Sequence, residues 1–214
     1  MDSPSQIYLP TAFIPSIAYM RLLSHAEEAF IYVGESYRKQ SYRNRADLMT
    51  ANGRASLSIP VEKYAYPPPE TSTIMISEHG DWRKRHLQTV ISGYGSSPFL
   101  EHYIDEIEHL LLHSGQGESL VTYNHRWLEF ACDELGLPMP KVVQVLPEGA
   151  TFIGEVCARD YAPEATLFER YWQVYEDRLG FVPNLSVLDL LLNTGNEAIL
   201  YLKSSKADSQ KLPR

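Results

Sequence analysis

Basic side chains crowd one stretch of this acidic chain, and their spacing favours the binding of an anion. Residues 35–61 hold five basic side chains against two acidic ones, whereas the formal net charge of the chain is −8. The basic residues are Arg38, Lys39, Arg43, Arg45 and Arg54. Guanidinium groups bind planar carboxylates and phosphates through paired hydrogen bonds. The stretch therefore predicts a site for a small anionic group, and a solvated, charged sheet face is the alternative.

The second half of this stretch predicts a β-hairpin over residues 42–61. The dipeptide Asn52-Gly53 tolerates positive φ at both positions of a tight turn, and apolar and polar residues alternate on each side of it. Arg43 and Arg45 then share one face of the incoming strand, with their side chains about 7 Å apart. Such a pair would hold a carboxylate or a phosphate.

A second basic cluster contains the best candidate for proton transfer. On a helix, Trp82, His86 and Thr89 lie on one face, because positions i, i+4 and i+7 stack. Trp82 and His86 could form a pocket wall, with His86 as a general acid or base. The alternative is that His86 is a half-buried, hydrogen-bonded packing residue. The basic residues 83–85 beside it are expected to be mostly solvated.

Three further polar residues have local interpretations that need no catalysis. Asn124 lies in an apolar helical stripe, so we expect it to be buried and hydrogen-bonded, with a structural role favoured over substrate contact. Ser186 and Asp189 have the spacing of a capping box before an apolar run. That interpretation explains both residues without a catalytic triad, and Ser186 is not in a nucleophile elbow.

Composition excludes several classes of protein. The acidic balance argues against nucleic-acid binding, which needs a broad basic surface. The N-terminal residues lack a signal-peptide pattern, and no apolar run approaches the roughly 20 residues of a membrane span. Cys132 and Cys157 are too few for a disulfide scaffold, and no Cys/His spacing suggests a metal site. The sequence predicts a cytoplasmic protein and leaves its cofactor and oligomeric state open.

The order of the predicted elements indicates an α+β or irregular α/β fold. A mixed sheet that includes the hairpin would pack against a block of helices at about 81–135. Strands are predicted at 6–9, 29–33, 73–76 and 141–146, and helices at 16–28, 81–93, from 97 onward, 119–135, 186–193 and 196–203. The length fits one domain over residues 1–203, followed by a polar tail at 204–214 that we expect to be disordered.

Several short motifs occur together along this chain. They include Tyr8-Leu9-Pro10, residues 13–19, residues 37–45, Gly80-Asp81-Trp82-Arg83 with His86, and residues 183–195. This combination, which covers most of residues 7–202, resembles the WbqC-like protein family in the shorter form found in Bacteroidetes. The resemblance implies a role in O-antigen and related lipopolysaccharide assembly, with aminoacyl or glycine transfer suggested for some members. It supplies no catalytic residues, and residues 141–165 are shorter here than in longer relatives.

Three hypotheses follow for the basic stretch. In the first, a transferase binds a nucleotide sugar or phosphosugar through it, with His86 as the catalytic residue. The substrate-binding candidates are Tyr37, Arg38, Lys39, Arg43, Asn44, Arg45, Trp82 and Asn124. In the second, a non-enzymatic assembly protein docks an acidic partner there. In the third, Asn44 and the arginines form a buried structural network between the hairpin and the helices. A concave pocket that joins Arg43 or Arg45 to His86 would favour catalysis, whereas convex, exposed arginines would favour docking.

Overall fold

The computed structural model describes residues 6–158, 161 and 168–204. The strands are β1 (Gln6–Pro10), β2 (Glu28–Tyr32), β3 (Arg45–Thr50), β4 (Gly53–Ser58) and β5 (Lys141–Val143). The helices are α1 (Ile17–His25), α2 (Trp82–Tyr94), α3 (Leu100–Leu112), α4 (Leu120–Leu135), α5 (Glu176–Leu179), α6 (Val187–Thr194) and α7 (Ala198–Lys203). The predicted mixture of small sheets and helices is confirmed. Residues 205–214 of the predicted tail lie outside the described residues, and the single domain stays a prediction.

The strands form two separate sheets rather than one mixed sheet. In the first, β1, β2 and β5 run parallel with β2 in the centre. Helix α1 connects β1 to β2, as a parallel pair requires a crossover between its strands. In the second, β3 and β4 form the predicted antiparallel hairpin. Parallel and antiparallel pairing are therefore segregated in the described part of the chain.

The hairpin has the predicted faces but a different turn. Thr50 pairs with Gly53, and Gly53 has a φ of 101°, whereas Asn52 does not have a positive φ. The expected turn with two positive φ values is therefore wrong, and the glycine alone supplies the left-handed residue. Arg45 lies opposite Ser58, so the polar residues of both strands share one face. The apolar residues of the opposite face, Ala46, Leu48 and Leu57, are buried.

Helix α4 follows the sequence pattern closely. The Ser119 hydroxyl accepts a 3.1 Å hydrogen bond from the Thr122 N–H and so caps the first turn. Gly136 ends the helix with a φ of 61°, in the left-handed conformation that glycine adopts most easily. The apolar stripe of the helix faces the core, as its spacing predicts.

Three local expectations are wrong. Helix α3 begins at Leu100, so Pro98 precedes the helix instead of occupying its first turn. Residues 73–76 form no strand, because Thr71–Thr73 is a 3-10 turn and only isolated bridges follow it. Strand β5 ends at Val143 instead of 146.

Residues 184–187 lie between the N-terminal segment and the hairpin. The carbonyl of Leu185 accepts a 2.9 Å hydrogen bond from the N–H of Ile17. The N–H of Ser186 donates a 2.8 Å hydrogen bond to the carbonyl of Asp47 on β3. One short segment near the end of the chain therefore satisfies main-chain groups from two segments near its beginning.

Candidate functional site

Arg43 belongs to the interior of the protein. Its guanidinium is buried and makes two hydrogen bonds to the Glu35 carboxylate, of 2.6 Å from Nε and 2.7 Å from Nη2. A buried guanidinium needs such a carboxylate, because an unpaired charge is very costly away from water. The expected side-by-side pair of Arg43 and Arg45 is therefore wrong. The third hypothesis, a buried network, describes Arg43 well.

Arg45 differs from Arg43 because its charge has no partner among the described residues. It is half-buried at the start of β3, and its guanidinium makes no hydrogen bond or ion pair with the residues that the structure describes. Its Nε is fully buried. Buried donors are rarely left unsatisfied in folded proteins, so this nitrogen is free to donate a hydrogen bond to a water or a ligand.

The hydroxyl of Tyr37, which feels the charge of Arg45, and that of the neighbouring Tyr64 also have no hydrogen-bond partner among the described residues. The rings of Tyr37 and Tyr64 meet edge to face with their centroids 5.7 Å apart, and both hydroxyls are buried without a partner among the described residues. Burial raises the pKa of Tyr37. The neighbouring Tyr64 adds to this rise, whereas the positive charges of Arg43 and Arg45 oppose it. The Tyr37 hydroxyl therefore stays protonated at neutral pH and can donate a hydrogen bond to an anion.

Arg45 forms one wall of a polar cleft on the surface of the hairpin. The cleft has a volume of about 230 Å³ and is lined by Gln40, Ser41, Tyr42, Arg45, Asp47, Arg54 and Ser56. The Asp47 carboxylate accepts hydrogen bonds from Tyr42, Ser56 and Arg54, the last at 3.2 Å. Because Arg54 balances the charge of Asp47, the positive charge of Arg45 is left to attract an anion.

Arg38 and Lys39 lie on the exposed loop that leads into this cleft. The Lys39 ammonium lies 4.7 Å from the centre of the Tyr64 ring, within the range of a cation–π contact. The Arg38 carbonyl accepts a 2.8 Å hydrogen bond from the hydroxyl of Ser41, which lines the cleft. Two exposed cations therefore stand next to the cleft without lining it.

The structure places His86 in the core, outside the cleft. Its side chain is 6% exposed, and Nε2 accepts a 3.1 Å hydrogen bond from the N–H of Ser58. A main-chain N–H can donate only to an unprotonated nitrogen, so the neutral ring carries its proton on Nδ1. Burial, together with the charges of Arg85 and Arg83, lowers the pKa of His86 to about 4. This geometry matches the packing role and does not join His86 to Arg45.

Trp82 and Arg83 are core residues too. The Trp82 indole is buried and donates a 3.1 Å hydrogen bond to the Ser77 carbonyl. Arg83 is also buried, where it makes a bidentate pair with Glu78 and donates to the carbonyl of Ser114. The expectation of a solvated Arg83 is therefore wrong, and Trp82 forms no wall of the cleft.

Asn44 and Asn124 hold the base of the hairpin. Nδ2 of Asn44 donates a 2.9 Å hydrogen bond to the Ile59 carbonyl, which extends the pairing of the two strands. Nδ2 of Asn124 donates to the carbonyl of Arg43 at 2.8 Å and to the hydroxyl of Thr11 at 3.1 Å. Both side chains therefore join main-chain segments, which is the structural role that we favoured for Asn124.

The capping interpretation of Ser186 and Asp189 is wrong. Ser186 precedes α6, but its hydroxyl makes no capping hydrogen bond. The buried Asp189 carboxylate instead accepts hydrogen bonds from Tyr94 at 2.6 Å, from Tyr171, and from Gln173 at 3.1 Å. Burial raises the pKa of Asp189, and these donors oppose the rise. Asp189 therefore connects three segments of the interior.

The cysteines and the acidic residues provide no metal site in the part of the chain that the structure describes. Cys132 and Cys157 are free and buried. Burial raises the pKa of each thiol to about 12, so neither is a thiolate at neutral pH. No helix within the described ranges combines the length and apolar character needed to cross a bilayer.

Of the residues that line the cleft, sequence reasoning named only Arg45 as a site residue; it missed Asp47, Arg54, Ser56, Gln40, Ser41 and Tyr42, and also Tyr64 next to Lys39. A signal existed for the first three, because alternation from the turn puts them on the face that carries Arg45. Tyr64 had no comparable signal.

Comparison with known proteins assigns the chain to a family. The model of the WbqC-like protein family matches residues 11–151, and the chain belongs to that family. The matched region contains every residue that lines the cleft. Rv1507c, an uncharacterized protein of Mycobacterium tuberculosis, is 26% identical over 220 residues, which cover 89% of this chain and 94% of that protein. No solved structure is significantly similar to the chain.

Proposed function

We propose that this protein is a transferase of surface-polysaccharide assembly that holds the phosphate or carboxylate of its substrate against Arg45. The WbqC-like family is associated with polysaccharide biosynthesis. The observation that carries the proposal is the guanidinium of Arg45, which lies in the wall of a polar cleft and has no hydrogen-bond or ion-pair partner among the described residues. A nucleotide sugar or a phosphosugar supplies the required negative charge.

The size of the cleft limits what it holds. Sites that enclose a whole drug-sized ligand have volumes of about 300–1,000 Å³, whereas this cleft measures about 230 Å³. It therefore takes the anionic group, and the rest of the substrate extends toward the exposed side chains of Arg38 and Lys39.

The cleft supplies both donors and an acceptor. Arg45 provides charged donors, the hydroxyls of Ser41 and Ser56 line the same space, and Asp47 is the ionisable acceptor. An anion fixed between such groups is both positioned and stabilised as charge develops during transfer. Asp47 replaces His86 as the candidate for proton transfer, because it lines the cleft. The resemblance to the family favours an aminoacyl or glycyl group as the transferred moiety.

The exposed pair of Arg38 and Lys39 supports a second candidate function. Because their side chains are exposed beside the cleft, they could dock an acidic protein partner without any catalysis. Under this alternative, binding would depend on Arg38 and Lys39 and not on Arg45.

A thermal-shift experiment tests the proposal. The purified protein is heated with nucleotide sugars, phosphosugars, inorganic phosphate, coenzyme A derivatives and amino acids. A ligand at 100 times its Kd adds about 2.7 kcal/mol to the free energy of unfolding and so raises Tm. Arg45→Gln should abolish the shift, whereas Arg85→Gln, which removes an exposed charge on α2, should retain it.

Two results would overturn the proposal. One is the absence of a shift with every phosphorylated ligand. The other is a shift that persists in Arg45→Gln and disappears when Arg38 and Lys39 are both replaced by glutamine, which would favour docking. Circular dichroism of each variant confirms that it is folded before its Tm is compared.

A further inference from the structure

A second, larger cleft lies where the start of α3, the segment before α5 and the turn between α6 and α7 meet. Its volume is about 690 Å³, within the usual range of small-molecule sites. It shares no lining residue with the cleft at Arg45. An inference about it is therefore independent of the proposed function.

One wall of this cleft is aromatic and centred on Trp172. The indole is 51% exposed, whereas Trp82 and Trp127 are 3% and 1% exposed. Trp172 makes no hydrogen bond or ring contact with the residues that the structure describes, although Phe99 and Tyr201 line the same cleft. An exposed indole in a concave, partly polar site provides a flat apolar surface for a ligand.

The aromatic wall has a rigid support. Gly195 follows α6 with a φ of 56°, and a Cβ at this position would overlap the ring of Phe99. The Phe99 N–H also donates a 3.3 Å hydrogen bond to the Leu192 carbonyl. The Phe99 ring therefore rests directly against the main chain of the turn.

Neutral polar groups also line the cleft. Nδ2 of Asn193 donates a 2.7 Å hydrogen bond to the Asp189 carbonyl, whereas its buried Oδ1 has no partner among the described residues. Asn196 is exposed beside it. Amide side chains both donate and accept hydrogen bonds, as the hydroxyls of a sugar do. Among the described residues no lysine or arginine lines this cleft, and Glu197 does, which disfavours an anionic ligand.

We propose that this cleft binds a neutral pyranose ring, which stacks one face on Trp172 and directs its hydroxyls toward Asn193 and Asn196. A pyranose has an apolar face of C–H groups and a polar edge of hydroxyls, and the residues that line the cleft include both aromatic rings and amide side chains. The exposed indole gives the ring an apolar surface, and the Asn193 oxygen, which has no partner among the described residues, gives it an acceptor.

Quenching of tryptophan fluorescence by acrylamide tests this proposal on the full-length protein. Because Trp172 is the one exposed tryptophan of the three, it accounts for most of the quenching. Methyl glycosides of glucose, galactose and mannose, N-acetylhexosamines and their short oligomers are titrated. One of them should remove most of the acrylamide quenching, with a saturable dependence on its concentration. Asn196→Ala should weaken its binding roughly 2- to 10-fold, as expected for the loss of one hydrogen bond.

The controls separate this proposal from the one for Arg45. In the Trp172→Phe variant, most of the acrylamide quenching should be lost, and with it the effect of sugar on that quenching. Isothermal titration calorimetry of the same variant should show weaker sugar binding or none. Arg45→Gln should bind the sugar as the natural chain does. The assignment is overturned if no saccharide protects Trp172 from acrylamide quenching. If choline protects Trp172 and saccharides do not, the cleft would instead be an aromatic site for a cation.

Discussion

The phenol of Tyr94 donates a 2.6 Å hydrogen bond to Oδ1 of Asp189 and so joins α2 to α6 inside the core. The same phenol oxygen accepts a 2.9 Å hydrogen bond from the N–H of Met49 on β3. One hydroxyl therefore links two helices and the hairpin, and all three groups are buried.

Removing this hydroxyl should destabilise the protein. Tyr94→Phe keeps the ring but leaves Met49 N–H without its partner and Asp189 with one donor fewer. We expect the free energy of unfolding, measured with urea, to fall by about 3 kcal/mol. Tyr175→Phe is the matched control, because its hydroxyl makes only a long, exposed hydrogen bond of 3.4 Å. Equal losses in the two variants would contradict the linking role of Tyr94.

His86 should make stability depend on pH. Its pKa is lowered from 6.5 to about 4 by burial in the folded state. Between these values the unfolded chain binds more protons than the folded chain, so stability is lost as pH falls from 6.5 to 4. Over this whole interval the free energy of unfolding should fall by about 3 kcal/mol. His86→Gln retains an acceptor for the Ser58 N–H but does not titrate, so its unfolding free energy should vary less across this range. An unchanged pH dependence would assign the effect to other groups.

The pair of Glu35 and Arg43 should be structural. Glu35→Gln leaves a buried guanidinium without its counter-charge, and we expect a loss of about 4 kcal/mol in the free energy of unfolding. The double variant with Arg43→Met removes the buried charge and should recover part of that loss. Glu176→Gln breaks a surface pair with Arg170, whose side chain is 68% exposed, and should cost less than about 1 kcal/mol. A Glu35→Gln protein as stable as this control would refute the assignment.

Gly195 should tolerate substitution less well than a glycine of positive φ that has open space around it. Gly195→Ala adds a Cβ that overlaps Phe99, whereas Gly117, with a φ of 69°, has nothing within 4 Å of a Cβ. Gly117→Ala should therefore show backbone strain alone, about 1 kcal/mol. Gly195→Ala should lose clearly more, about 3 kcal/mol by urea unfolding, and should also alter acrylamide quenching of Trp172. Similar losses in both variants would mean that Phe99 moves freely.

Several elements of the fold could be predicted from the residues within and next to them. The limits of α4 follow from Ser119 and Gly136, which act on the first and last turns of the same helix. The faces of the hairpin follow from alternation around a glycine turn. In each case the deciding interaction lies within a few residues of the element that it defines.

The candidate site depended on partners that a local pattern does not reveal. Arg43 and Arg45 have the same side chain and adjacent positions on one predicted face, but Glu35 neutralises only Arg43. Asp189 has capping-box spacing, yet its donors include Tyr94, which is 95 positions away. Tertiary contacts that reach across the fold therefore decided which charged groups are structural and which are available to a ligand.

The insertion of residues 184–187 between Ile17 and Asp47 has a consequence for synthesis on the ribosome. Those residues emerge from the ribosome after most of the chain. Until then, the N–H of Ile17 and the carbonyl of Asp47 do not have their native hydrogen-bond partners. Contacts between residues so distant in sequence also form slowly. We expect nascent chains arrested before Pro183 to be cleaved near the hairpin by added protease, and chains arrested after Gly195, once extruded, to be protected. We therefore expect the segment around Ile17 and the hairpin to become native only after residues 184–187 have emerged.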